Sequence, residues 1–350
     1  MNNQMKVSCG LTPRFEALAA MYPEYSIGRI LSQEKGLYTL AAEQGEKLAE
    51  VSGRFRFQAA SISDYPAVGD FVMVDWNERG NAVIHHVLPR KSCFTRRAAG
   101  ESREEQVVAA NIDTVFLCMS LNQDYNLRRM ERYLSIGWDS GATPVIVLTK
   151  ADLCDDLDKR LVELSSVAMG VEVLVTSAME TDGYAQVLPY LTEGKTVAFI
   201  GSSGVGKSTL INCLLGESRL QTQGIRSDDK GRHTTTHREL IALESGAMVI
   251  DTPGMRELGM WNSEAGIDQT FAEIEEIASQ CRFRDCSHGG EAGCAVQRAL
   301  REGTLSIERW ASYQKLKLES AYAADSESYL VIKEKKFKEI SKYNKQNRKR

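Results

Sequence analysis

The chain has 350 residues, of which 43% are apolar and 26% charged, the make-up of an ordinary globular protein with two or three domains. No apolar run approaches the roughly eighteen residues that a membrane-spanning helix needs, and the opening MNNQMKVSCG lacks the charged-then-apolar pattern of a secretion signal, so a cytoplasmic protein is expected. Net charge is −4, yet residues 333–350 hold nine Lys/Arg against two acids, so the remaining body is acidic and any nucleic-acid contact has to come from local basic surfaces.

Residues 1–20 read as weakly ordered or helical. From 25 to 90 the runs YSIGRIL, GLYTL, GDFVMVDW and NAVIHHVL are short, β-rich and cut by turn residues. About five strands in so short a stretch suit an OB-type barrel, with an SH3-like barrel as the alternative. RKSCFTRR (90–97) offers basic residues with Phe94 for stacking, a candidate RNA contact, and RRAAGESREEQ (96–106) reads as a linker or mobile loop. The texture then changes. TVFLCMSL, TPVIVLTK, VEVLVTSA, TVAFIGSS and AMVIDTPG are buried parallel-strand candidates, with helical stretches such as NLRRMERYLSIGWDSG and KSTLINCLLG between them. This predicts an α/β domain with a mostly parallel sheet. From 263 the pattern is helical around a cysteine-rich loop and ends in the basic tail. The expected domains are 1–95, 96–262 and 263–350.

The motifs name a ligand. In TKAD (149–152), Asp152 can accept two hydrogen bonds from guanine N1–H and its exocyclic amine, which adenine does not offer there. The Lys150 stem can pack along the base, with Ala151 between them. Thr149 stands where GTPases commonly have Asn; it keeps a hydroxyl but loses the amide that braces the phosphate loop, which predicts modest affinity. TSA (176–178) ends the next strand, and Ser177-Ala178 can donate a backbone amide to guanine O6. GSSGVGKST (201–209) fits the phosphate-loop pattern and lies between a strand and a helix. Gly201, Ser202, Ser203, Gly204, Val205 and Gly206 let backbone N–H groups wrap phosphates, Lys207 reaches the β- and γ-phosphates as a catalytic cation, Ser208 ligates Mg²⁺, and Thr209 ends the GTP-binding run. GRHTTTHREL (231–240) offers Thr234, Thr235 or Thr236 as a second Mg²⁺ hydroxyl, with Thr235 favoured. In DTPG (251–254), Asp251 can hold Mg²⁺ through water and the Gly254 amide can touch the γ-phosphate. Met255 follows where many GTPases have a water-orienting Gln, so His233 becomes the candidate for that role, ahead of His237.

Cys281, Cys286, His288 and Cys294 follow as C-x₄-C-x-H-x₅-C, a closed Cys₃His set that suits a structural Zn²⁺; unliganded thiols are the alternative. The base reader precedes the phosphate loop, the reverse of the usual order, which predicts a circularly permuted GTPase domain whose D-x-x-G switch leads directly into the zinc-binding part.

Taken together, the barrel, the permuted motifs, GRHTTTHREL and the C-x₄-C-x-H-x₅-C cluster resemble the bacterial RsgA (YjeQ) family over about residues 25–320. The resemblance implies GTP hydrolysis to GDP stimulated by the small ribosomal subunit, a role in late maturation of that subunit, contacts to ribosomal RNA, one structural Zn²⁺ and Mg²⁺ with GTP. A monomer is expected. A permuted GTPase of the large subunit, or an RNA-binding scaffold gated by GTP, are the competing readings.

Overall fold

The computed structural model describes residues 10–34, 36–97, 105–216, 238–251 and 264–324. They belong to two compact units, Met1–Gly259 and Met260–Arg350. Helix α1 (Pro13–Ala19) begins with proline in its first turn, where no amide partner is needed. Strands β1 (Ser26–Glu34), β2 (Leu37–Ala42), β3 (Gly45–Val51), β4 (Phe71–Asp75) and β5 (Ala82–Val87) follow, with the short helix α2 (Gly53–Gln58) after β3. Their order is β1-β2-β3-β5-β4, and β1 also pairs with β4, so the barrel closes. Ile30, Leu40, Val72, Val74 and Ile84 fill it. Irregularities at Ile30/Ser32 in β1 and Met73/Val74 in β4 supply the extra bend that closing a small barrel requires. The expected OB-type barrel is present. Strand β3, GEKLAEV, is charged enough to escape notice as a sequence run, yet its Gly45, Ala49 and Val51 turn inward.

A hairpin of β6 (Cys93–Arg97) and β7 (Glu105–Ala110) leads into the α/β part. There β8 (Thr114–Ser120), α3 (Leu127–Asp139), β9 (Thr143–Thr149), α4 (Leu157–Ser165), β10 (Glu172–Val175), β11 (Thr196–Gly201), α5 (Lys207–Leu215), β12 (Glu239–Ala242) and β13 (Met248–Asp251) run in sequence. Sheet order is β10-β9-β8-β11-β13-β12, parallel except for β12. Every residue of β8 and β11 is buried, as strands covered on both faces must be. Asn126 caps α3 by accepting the Arg129 amide.

The barrel sheet is continuous with this one through a single β1–β12 pairing, Ser32 opposite Glu239. Arg29 of β1 is buried at the junction. It donates to the Thr196 hydroxyl of β11 at 2.8 Å and the Gly69 carbonyl at 3.2 Å, and sits 4.8 Å from the Phe71 ring centre.

Residues 90–97 correct one expectation. Arg90 forms a forked ion pair with buried Asp70 and also donates to the carbonyls of Ser63 and Tyr65. Burial pulls the Arg90 guanidinium down, but hydrogen bonding to Asp70 and its charge prevail and hold it above the ordinary value. Lys91 pairs with Asp113 at 2.7 Å, and Phe94 is 1% exposed. These three residues hold the hairpin to the body and leave no stacking ring for RNA.

In the second unit, α6 (Glu264–Thr270), α7 (Ala272–Ser279), α8 (Ala295–Glu302) and α9 (Ile307–Ala324) surround Ile267, Phe271, Ile274 and Val296. Arg309 of α9 bonds Glu273 and the Thr270 carbonyl, both at 2.7 Å, with its guanidinium 4.3 Å from the Phe271 ring centre. The linker residues 98–104 and the basic tail 333–350 lie outside the described residues, as do His233, Thr234, Thr235, Thr236, His237, Gly254 and Met255.

Candidate functional site

Strands β8 and β9 step to one side of β11, while β13 lies on the other, so the chain direction switches between β8 and β11. Open parallel sheets bind ligands at the carboxyl ends of strands flanking such a switch. The phosphate loop leaves β11 at that place.

Gly204 and Gly206 adopt φ values of +71° and +105°, which L side chains rarely take. Gly206 directly precedes α5, so the loop's amides converge on that helix's start, an arrangement that favours anions. Lys207 Nζ donates to the carbonyls of Gly201 and Ser202, each at 2.7 Å, and so lies folded over its own loop. Ser202 donates to Asp124, which also pairs with Arg129 at 2.7 Å. Burial raises the Asp124 pKa, but hydrogen bonds from Arg129 and Ser202 and the charges of Arg129 and Lys150 outweigh it, leaving Asp124 below the usual carboxylate value. Beneath the loop, burial pushes the Cys118 thiol up to about 12 against a small opposing pull from Lys207, making it an inert part of the floor.

The base-reading residues come from the end of β9. Thr149 Oγ1 donates to the Val205 carbonyl inside the phosphate loop. The hydroxyl therefore supplies the brace that the missing amide was expected to withhold. Lys150 takes a left-handed conformation (φ 58°), which turns its side chain back so that Nζ reaches the Gly204 carbonyl at 2.7 Å. One residue pair thus ties the base reader to the phosphate loop at two points. Ala151 and Asp152 form a single 3₁₀ turn after it. Ser177, past the end of β10, donates to Asp152 Oδ1 at 2.7 Å and leaves Oδ2 on the other side of the carboxylate. Ser177 is itself held by its amide on the Gly183 carbonyl, and a side chain at position 183 would meet the Ser177 carbonyl at 2.1 Å, so glycine is required there. Ala178 follows in the same loop.

Asp251 ends β13, and β13 pairs in parallel with β11 from Thr196↔Met248 to Ala198↔Ile250. The D-x-x-G motif thus starts at the same sheet edge as the phosphate loop; the Asp251 carboxylate lies outside the described atoms. Ser208 and Thr209 stand in the first turn of α5. Residues 149–152, 177–178, 201–209 and 251 therefore gather along one edge of the sheet despite their inverted order in the chain. The Ser202–Asp124 contact escaped the sequence reading, because an aspartate fifteen residues before α3 ends carries no motif of its own.

The second unit presents a separate candidate site. The ligand atoms of Cys281, Cys286, His288 and Cys294 all lie within 4.8 Å of one another. A tetrahedral ion with metal–sulfur bonds of about 2.3 Å requires sulfurs roughly 3.8 Å apart. The Cys281 and Cys294 sulfurs are 3.9 Å apart, and His288 Nδ1 lies 3.6 and 3.5 Å from them. The donor set fits a four-coordinate metal ion. His288 is in the left-handed region at φ 58°, its carbonyl accepts from Gln297 Nε2 at 2.7 Å, and Trp310 packs edge-on against its ring. The amides of Ala295 and Gln297, at the start of α8, point at the Cys281 and Cys294 sulfurs, which favours thiolates.

Known proteins share this architecture. A family model described as RsgA GTPase matches residues 87–261, and one described as 50S ribosome-binding GTPase matches residues 196–343. The chain is 50% identical over 317 residues to the small ribosomal subunit biogenesis GTPase RsgA 2 of Lactiplantibacillus plantarum, covering 90% of this chain and 89% of that one. It is 48% identical over 307 residues to the RsgA of Opitutus terrae, covering 85% and 84%. Among solved structures, YjeQ from Thermotoga maritima superposes with a TM-score of 0.61 at 28% identity, covering 85% of this chain and 98% of that one. YloQ, described as a circularly permuted GTPase, gives 0.59 at 26% identity, covering 85% and 95%.

Proposed function

This chain belongs to the RsgA GTPase family, and from that premise we propose that it binds the small ribosomal subunit, acts in its late maturation, and hydrolyses GTP there with subunit-stimulated activity and nucleotide-controlled release. The observation that carries the reading is the double tie from Thr149 and Lys150 into the phosphate loop, which makes base recognition and phosphate binding one rigid construction.

In this reading Asp152, aimed by Ser177, accepts the guanine N1–H and amine, and the backbone at Ala178 faces O6. Lys207 exchanges the Gly201 and Ser202 carbonyls for β- and γ-phosphate oxygens. Ser208, a threonine of 234–236 (Thr235 for preference) and Asp251 would hold Mg²⁺, which would supply positive charge beside the phosphates. Water adds to the γ-phosphorus as its bond to the β-bridging oxygen breaks, giving GDP and phosphate. Met255 has no group to orient that water, and His233 is assigned the task. Cys281, Cys286, His288 and Cys294 would hold one structural Zn²⁺, which would close the loop between α7 and α8. Because D-x-x-G is the last nucleotide element before the second unit, its response to the γ-phosphate is passed along the chain into that unit.

The test is multiple-turnover GTP hydrolysis by the full chain alone, with purified small subunits, and with purified large subunits. Stimulation by small subunits alone supports the reading; equal or greater stimulation by large subunits, or none, overturns it.

A further inference from the structure

The aromatic and basic surface sought at 90–97 exists elsewhere on the barrel. Helix α2, GRFRFQ, exposes Arg54, Arg56 and Phe57, and Phe57 is 91% exposed, an unusual setting for so large a ring. Beside it, between α2 and β5, runs an open groove of about 500 Å³, lined among others by Phe55, Gln58, Ala59, His85, His86 and Arg90. At 100° per residue, positions 55, 58 and 59 share the helix face toward the groove, and Arg54 and Arg56 fall on either side of that face. The Arg54 charge is close enough to act on His86.

The groove walls are built for flat rings. His85 stacks on Tyr25 and His86 on Tyr22, both at 4.4 Å between ring centres, and Phe55 is held edge-on to Tyr65. These ring contacts fix the orientation of the aromatic side chains without any ligand. Of the acids nearby, Glu24 stands close enough to act on His86 as Arg54 does, and the others are engaged. The Asp64 carboxylate accepts the amides of Ala60 and Ser61, Asp70 is taken by Arg90, and Glu50 stands 3.7 Å from Arg56 in an exposed pair that solvent weakens.

We propose that this groove receives an unstacked base of single-stranded RNA, with Arg54 and Arg56 on the flanking phosphates and Phe57 stacking the neighbouring base. The inference rests on the ribosomal reading above and adds to it the place and the mode of contact. Pre-oriented rings between two cations match a polyanion whose repeating unit is a flat ring. The site lies off the strand face that OB barrels commonly use, since α2 fills the connection between β3 and β4.

The experiment uses the full chain with three probes: purified small subunits, an unstructured oligouridylate, and an abasic ribose-phosphate strand of equal length. Phe57→Ala and Ala59→Phe, the second of which fills the groove, are expected to keep wild-type melting and subunit-free GTP hydrolysis. Each is expected to weaken binding to small subunits and to oligouridylate roughly tenfold, with the abasic strand bound weakly by all forms. Arg54→Gln with Arg56→Gln is expected to flatten the salt dependence of oligouridylate binding. Three outcomes overturn the proposal while leaving the ribosomal reading intact: variants that bind subunits like the wild type, equal binding of the abasic strand, or weakened subunit binding with unchanged oligouridylate binding, which would make this a protein-docking surface. A wild-type chain that neither binds small subunits nor is stimulated by them overturns both.

Discussion

Replacing Thr149 by valine removes one hydroxyl and leaves the shape of a buried side chain almost unchanged. That hydroxyl donates to the carbonyl of Val205, in a residue only 1% exposed, so the carbonyl loses its partner where water does not readily replace it. An orphaned buried acceptor costs about 1–3 kcal/mol. The brace is already formed without nucleotide, so part of the cost appears as lower stability. The part felt in binding is the extra freedom that the loop regains when nothing holds Val205. Half of a 3 kcal/mol cost, about 1.5 kcal/mol, corresponds to roughly tenfold in affinity. Titration with fluorescent GDP and GTP analogues is expected to show about tenfold weaker binding of both, because both use the same loop. Thr149→Asn, which restores a donor of longer reach, is expected to bind at least as well as Thr149→Ser. Wild-type affinity and wild-type melting in Thr149→Val would refute the idea that this hydroxyl braces the loop. So would a loss confined to GTP.

Asp152→Asn turns an acceptor into a donor opposite the guanine amine; GTP binding is expected to fall by more than a hundredfold while xanthosine triphosphate gains, and competition between the two nucleotides measures it. Ser177→Ala, which removes only the bond aiming Asp152, is expected to cost about 1 kcal/mol of GTP affinity by the same titration. Cys286→Ser is expected to lower metal content from one ion per chain and to destabilise residues 260–350, read by metal analysis and by hydrogen exchange localised to α7 and α8; full metal content with unchanged protection would count against the Cys₃His site. Arg29→Met keeps an unbranched side chain of similar reach but removes the donor to Thr196 and the cation over Phe71. A loss of about 2–4 kcal/mol is expected, with the barrel and the α/β part unfolding separately in denaturant, and a single unchanged transition would refute the role of Arg29 as the joint between them.

Much of the nucleotide site was legible in the sequence because phosphate loops and base readers depend on local backbone chemistry. Gly204 and Gly206 are required by their own dihedral angles, and Lys150 and Asp152 sit two residues apart at the start of one short turn. The candidate metal site was legible for the same reason, since a fourteen-residue loop brings its four donors together. The strand alphabet of the α/β part was equally plain, because strands buried on both faces read as uninterrupted apolar runs. The exposure of the stretch 90–97 was misread. RKSCFTRR and GRFRFQ both combine arginines with phenylalanine, and nothing in either stretch says which one faces water.

The sequence by itself therefore determined the ligand class, the permuted order of the motifs and the donor set of the metal site, each written in residues that lie close together in the chain. Only the tertiary structure decided that Thr149 braces the loop, that Arg29 joins the barrel to the nucleotide-binding sheet, and that Arg90 and Phe94 are interior while Arg54 and Phe57 are exposed. Those outcomes depend on partners twenty to more than a hundred and sixty residues away, such as Asp70 for Arg90 and Thr196 for Arg29, and a side chain's burial is a property of what the fold packs against it.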